Sequence, residues 1–97
     1  MNMQSLMAQA QKVQRELQNA NEEIENTVFT ATSGAVKIEM SGKMQVNKIE
    51  ITDDSVLSDK DMLEDMLLVA FNDVLNQVAK TKEEKMGKYT GGLGGLF

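Results

Sequence analysis

The apolar positions of the first quarter of the chain fall at Met3, Leu6, Ala10, Val13, Leu17, Ala20 and Ile24, in steps that alternate three and four. That is a two-position heptad seam held for three turns of the repeat, and it predicts a long amphipathic helix. Most of the remaining positions are Gln, Asn, Glu, Lys or Arg. Residues 3–26 would span roughly 36 Å as a helix. Such a seam is narrower than the stripe of a helix buried in a globular core. It suits helix-on-helix packing, either with a second copy of the chain or with the chain's own second helix.

From Thr27 the period changes. Thr27-Val28-Phe29-Thr30-Ala31-Thr32 is β-branched and aromatic, as strands prefer. Ser33-Gly34 supplies a turn. Val36, Ile38 and Met40 then alternate with Lys37 and Glu39, and Ser41-Gly42 supplies a second turn. Met44 and Val46 alternate in one phase, Ile49 and Ile51 in the other. A phase change inside one strand is the mark of a β-bulge, expected at Asn47-Lys48. The three strands make an antiparallel meander with one apolar face.

Thr52-Asp53-Asp54-Ser55 reads as a polar loop, and Ser58 with Asp61 three residues on as a variant capping box. Leu63, Met66, Leu67, Ala70, Val74 and Val78 form the stripe of a second long helix, widened by Phe71 and Leu75. Gly87 is the expected helix stop. The predicted class is α+β, an α-β-β-β-α protomer with two long helices. One domain covers 1–90, and 91–97 form a flexible Gly-rich C-terminal tail.

Composition adds a reason to expect a partner. The chain has 97 residues and only 4% aromatics, so its core is thin and aliphatic. A chain this short buries only roughly 60–65% of its unfolded surface. A homodimer is the expected state, with Leu6, Ala10, Val13, Leu17, Ala20 and Ile24 as its seam.

The absences exclude most chemistry. There is no Cys and no His, so there is no thiol nucleophile, no disulfide, and neither of the commonest zinc ligands. The glycines near the C-terminus lack the following Lys-Ser/Thr of a phosphate-binding loop. Asp53-Asp54 is a carboxylate pair in a solvated loop. The expectation is a protein that is not an enzyme, with no catalytic residue, metal, cofactor or small-molecule substrate. No apolar run approaches the length of a membrane span, and the start has no signal-peptide pattern, so a cytoplasmic location without membrane contact is expected.

Net charge is −5, which does not advertise nucleic-acid binding. The distribution is uneven. Residues 53–79 carry −6, whereas 80–97 carry +2. Asp59, Asp61, Glu64 and Asp65 crowd the first turns of the second helix, and Lys80, Lys82 and Lys85 its last, as the helix dipole favours.

Three stretches resemble one known family. They are Leu6-Met7-Ala8-Gln9-Ala10-Gln11-Lys12-Val13-Gln14, the Ser33–Gly42 hairpin (SGAVKIEMSG), and Asp61–Val74 (DMLEDMLLVAFNDV), the last being the most specific. Together with Lys82-Glu83-Glu84-Lys85-Met86 and the Gly-rich end, they make the whole chain similar to the YbaB/EbfC family of nucleoid-associated proteins. The resemblance implies a homodimer that binds double-stranded DNA, alters its conformation, and sits on the nucleoid in the cytoplasm, with effects on nucleoid organisation and gene expression. The residues available to meet phosphates are Lys12 and Arg15 on the first helix, Lys37, Lys43 and Lys48 on the strands, and Lys80, Lys82, Lys85 and Lys88 near the C-terminus. Arg15 is the sole arginine, so low sequence specificity follows. The alternative is a non-enzymatic protein–protein adaptor working through the helical seam.

Overall fold

The computed structural model describes residues 2–93, with side chains as far as Gly87. The order of elements is α1 (Met3–Glu25), β1 (Val28–Ser33), β2 (Val36–Ser41), β3 (Val46–Ile51), a short 3-10 turn at Asp54–Ser58, and α2 (Lys60–Leu93). The strands form one antiparallel sheet in the order β1-β2-β3. The α-β-β-β-α reading of the sequence holds.

Local chemistry accounts for the helix ends. Asn2 has extended backbone, and its side chain accepts from the Ser5 N–H at 2.7 Å, which caps α1. At the other end the Thr27 hydroxyl donates to the Glu23 carbonyl at 2.6 Å. This bond satisfies a carbonyl of the last turn as the chain enters β1.

The hairpins hold the expected turns, with one difference. Gly34 joins β1 to β2 at φ +56°, where a side chain would be strained. Between β2 and β3, Met44 also has positive φ (64°), and it belongs to the turn rather than to the strand. The turn closes through Met44 N–H to Ser41 O and Ser41 N–H to Gln45 O, both at 2.9 Å. The register then shifts: Glu39 faces Lys48 and Met40 faces Val46, leaving Asn47 unpaired. This is the expected bulge. It turns Val46, Ile49 and Ile51 to one face, opposite Met40, Ile38 and Val36.

That face carries the core. Phe29, Ala31, Val36, Ile38 and Met40 of the sheet are buried with Ala70, Val74 and Val78 of α2, flanked by Leu63, Met66, Leu67 and Phe71. Leu75, expected to widen this stripe, is instead exposed, because it turns away to the side of the helix. The cap of α2 is Asp59 rather than Ser58. Its carboxylate accepts from the Met62 N–H at 3.1 Å, while the Ser58 hydroxyl donates to the Ser55 carbonyl. The loop before it contains an element the pattern did not show: the 3-10 turn buries Val56.

Gly87 does not stop α2, which runs through it for 34 residues to Leu93. A glycine that ends a helix needs a left-handed backbone, and Gly87 has none. Its neighbours Lys85, Met86 and Lys88 are good helix formers, and their propensity outweighs a cost of about 1 kcal/mol for one glycine. The last four residues of the expected tail lie outside the described residues.

Candidate nucleic-acid interface

The sheet has two ends, and the acidic and basic segments of the chain meet different ones. At the Gly34 end lie Ala35, Thr52, Asp53, Met62 and Met66, which line one shallow depression. The acidic start of α2 is therefore here. Asp53 at this end accepts from the Ser55 N–H at 3.0 Å, and the backbone and side-chain hydrogen bonds of Ser55 hold its carboxyl below the usual carboxylate range.

At the opposite end, the 42–45 turn meets the last turn of α1. Gly42 N–H donates to the Thr27 carbonyl at 3.1 Å, and Gly42 lies directly against Ile24. Ile24 and Ala20 are the buried residues of α1. The C-terminal half of α2 reaches the same end, where the Lys85 ammonium pairs with Glu23 at 3.2 Å. α1 is thus anchored by its last two turns. Residues 2–12 are all exposed.

The expected seam divides accordingly. Ala20 and Ile24 are buried within the chain, Val13 and Leu17 are half-buried, and Leu6 and Ala10 are exposed. Packing within the chain occupies its C-terminal part.

Of the nine basic residues named from the sequence, eight fall into two groups. Lys37 and Lys48 stand on the outer face of the sheet, among Glu39 and Glu50, with Lys48 to Glu50 at 3.9 Å. Cross-strand pairing sets Lys37 opposite Glu50 and Lys48 opposite Glu39. This face is charged but balanced. Lys43 in the turn, Lys12 and Arg15 on α1, and Lys80, Lys82 and Lys85 on α2 all belong to the end where the helices meet. Lys82 is half-buried, and Lys85 is engaged by Glu23. The side chain of Lys88 lies outside the described residues.

Residues 1–15 contain Lys12 and Arg15 and no carboxylate, whereas Glu16, Glu22, Glu23 and Glu25 follow. The acid-free half is the exposed half. Gln11, Gln14, Arg15 and Gln18 line a shallow groove along it. A guanidinium beside three amides offers donors to phosphate oxygens without a carboxylate to repel them. The order of charges along the helix carries this signal in the sequence, and the net charge of −5 for the whole chain hides it.

Among the described residues, no group of three or more His, Cys, Asp or Glu could hold a metal ion, and no helix is long and apolar enough to cross a membrane.

The chain is similar to a nucleoid-associated protein of Lactococcus lactis subsp. lactis, 44% identical over 96 residues that cover 96% of this chain and 97% of that one. A nucleoid-associated protein of Chloroflexus aggregans is 43% identical over the full length of both. The crystal structure of an uncharacterized protein from Helicobacter pylori superposes with a TM-score of 0.73 at 26% identity, covering 87% of this chain and 91% of that one. The profile of the YbaB/EbfC DNA-binding family matches residues 1–93, and the chain belongs to that family.

Proposed function

We propose that this protein binds double-stranded DNA as a homodimer, with low sequence specificity, and alters the conformation of the duplex on the nucleoid in the cytoplasm. The observation that carries the reading is the exposed, acid-free half of α1 with Lys12 and Arg15, at the end of the sheet away from Asp53, Asp59 and Asp61. Lys43 and Lys80 extend the positive surface. A duplex approaching this end meets cations, and the acidic start of α2 is held away from it by the length of the sheet, roughly 20 Å for six-residue strands. Affinity then arises from local charge despite a negative total. The names of the relatives support the nucleoid as the place of action.

Low specificity follows from the residue types. Lysine meets phosphate as a point charge, and only arginine has the fork that reads guanine. Two copies double each cation and fix the spacing of the two sites. Held at a fixed spacing, two phosphate-binding ends favour the DNA shape that fits both.

The test is a mobility-shift titration of unrelated duplexes at several salt concentrations. With two or three cations per protomer, log affinity against log salt should slope at roughly −4 to −5. The pair Lys12→Gln and Arg15→Gln should weaken binding to every duplex alike and flatten the slope, with circular dichroism unchanged. Unchanged affinity moves the site to Lys43, Lys80 or the sheet lysines. Failure of the unaltered protein to bind any duplex at low salt leaves the protein–protein adaptor as the better reading.

A further inference from the structure

The turn between β2 and β3 carries a side chain that the packing of the chain does not explain. Among the described residues, Met44 is the only one other than glycine with a left-handed backbone, at φ 64°. That conformation crowds a side chain, and turns favour Gly, Asn or Asp there. Methionine has neither the freedom of glycine nor the local hydrogen bonds of Asn and Asp. Burial gives little in return, since Met44 is 47% exposed and stands outside the core. A strained backbone that holds out an exposed apolar side chain points to use rather than to packing.

The turn holds this side chain firmly. Met44 N–H donates to the Ser41 carbonyl and Ser41 N–H to the Gln45 carbonyl, both at 2.9 Å. Behind it, Gly42 N–H donates to the Thr27 carbonyl at 3.1 Å and Gly42 lies against Ile24, so the turn is tied to the root of α1. Lys43 and Gln45, on either side of Met44, are exposed. No carboxylate occurs between Glu39 and Glu50, and Glu23 at the root of α1 is paired with Lys85 at 3.2 Å. Arg15 stands nine residues before Ile24. Nine residues are roughly 14 Å of helix, the rise of about four base pairs. One duplex can therefore meet Arg15 and the turn together.

We propose that Met44 is a wedge that enters the minor groove of bound DNA and partly unstacks one base step, while Lys43 beside it holds a phosphate of the groove wall. An apolar tip next to a cation has the chemistry of such wedges: the tip slips between bases and the cation anchors the backbone beside it. The major groove is wide enough for a whole helix or ribbon, whereas a single side chain with a neighbouring lysine matches the minor groove, about 6 Å wide. Methionine suits the task, being unbranched and polarizable. Partial unstacking kinks the duplex, so one local contact per protomer changes its course. Pyrimidine–purine steps, TA among them, deform most easily, and a mild preference for them is the sequence dependence expected. The inference rests on the DNA-binding reading above and names the residue through which the duplex is deformed.

The test separates fold from function, because asparagine suits a left-handed turn position better than methionine does. Met44→Asn should melt at the temperature of the unaltered protein or a few degrees above it. Binding is followed on a duplex with the fluorescent base aminopurine at a central TA step and a dye at each end to report bending by energy transfer. The unaltered protein and Met44→Leu, which keeps an apolar tip, should brighten the aminopurine several-fold and bring the ends closer. Met44→Asn should do neither. It should bind roughly three- to tenfold more weakly, with the salt slope unchanged because no phosphate contact is lost. Unstacking by Met44→Asn equal to that by the unaltered protein overturns the wedge, and so does failure of Met44→Leu to unstack. A fall of several degrees in the melting temperature of Met44→Asn overturns it too, since the methionine would then be packing on the body. Binding by the unaltered protein without unstacking overturns the wedge and leaves the DNA-binding reading standing. An unaltered protein that binds no duplex at low salt overturns both.

Discussion

The contact between Gly42 and Ile24 sets where α1 leaves the sheet, and one methyl group tests it. A Cβ built on Gly42 would overlap the Ile24 carbonyl and would lie 2.9 Å from Ile24 Cγ2. The obstacle is mainly backbone, which cannot rotate aside as a side chain tip can. Gly42→Ala therefore forces the last turn of α1 away from the 42–45 turn. Overpacking of this kind costs about 1–3 kcal/mol. Loss of the fully buried Ile24 from its site would bring the cost to the upper end of that range or beyond. In a domain of this size, 1 kcal/mol corresponds to roughly 4–8 °C in Tm. Gly42→Ala should thus melt lower by roughly 5–20 °C. Gly87→Ala is the control, the same chemical change with the opposite sign. A Cβ there meets nothing within 4 Å, and the residue lies inside α2. Alanine in a helix interior is favoured over glycine by about 0.8–1 kcal/mol. The assay is thermal and urea denaturation followed by circular dichroism, at equal protein concentration because any dimer adds to apparent stability. A Gly42→Ala protein as stable as the parent would refute the reasoning, since it would mean that α1 gives way at no cost. A stability below the parent for Gly87→Ala would refute the placement of Gly87 in a continuous helix.

Ile38→Ala removes a fully buried side chain at the centre of the sheet and should cost about 2–5 kcal/mol in urea unfolding. Asp53→Asn should destabilise the 3-10 turn at neutral pH, because the bonds from Ser55 hold the carboxyl below its ordinary range in the folded chain. A depressed folded value means that the carboxylate stabilises above the ordinary range and loses this contribution as pH falls through the lowered value. The difference between parent and Asp53→Asn in urea midpoint should therefore shrink on acidification below the usual carboxylate range; a difference independent of pH would count against it.

The order and kind of the elements were legible from the sequence, because they depend on period. The seam from Met3 to Ile24 has the helical repeat, and residues 36–40 have the strand repeat. The change of phase between Val46 and Ile49 located the bulge at Asn47, since alternation is strict enough that one slipped residue shows. The family was legible too, in the run from Asp61 to Val74. Element ends were less so. Ser58, Asp59 and Asp61 are all able to cap, and only the fold chooses Asp59. Gly87 carries the composition of a stop, but its backbone angle decides, and that angle is set by the helix continuing on both sides. Tertiary structure alone determined which apolar residues are covered. Leu75 and Ile49 have the same hydrophobicity as buried neighbours and stay exposed, because one helix is wide enough for two strands of the three. It also sorted the lysines. Along the chain Lys37 and Lys48 look no different from Lys43, but the pairing of β2 with β3 sets the first two opposite glutamates, while the turn carries Lys43 to the end where both helices arrive. Period is a property of neighbouring residues, so the sequence displays it; coverage and charge environment depend on segments far apart in the chain, so only the packed structure settles them.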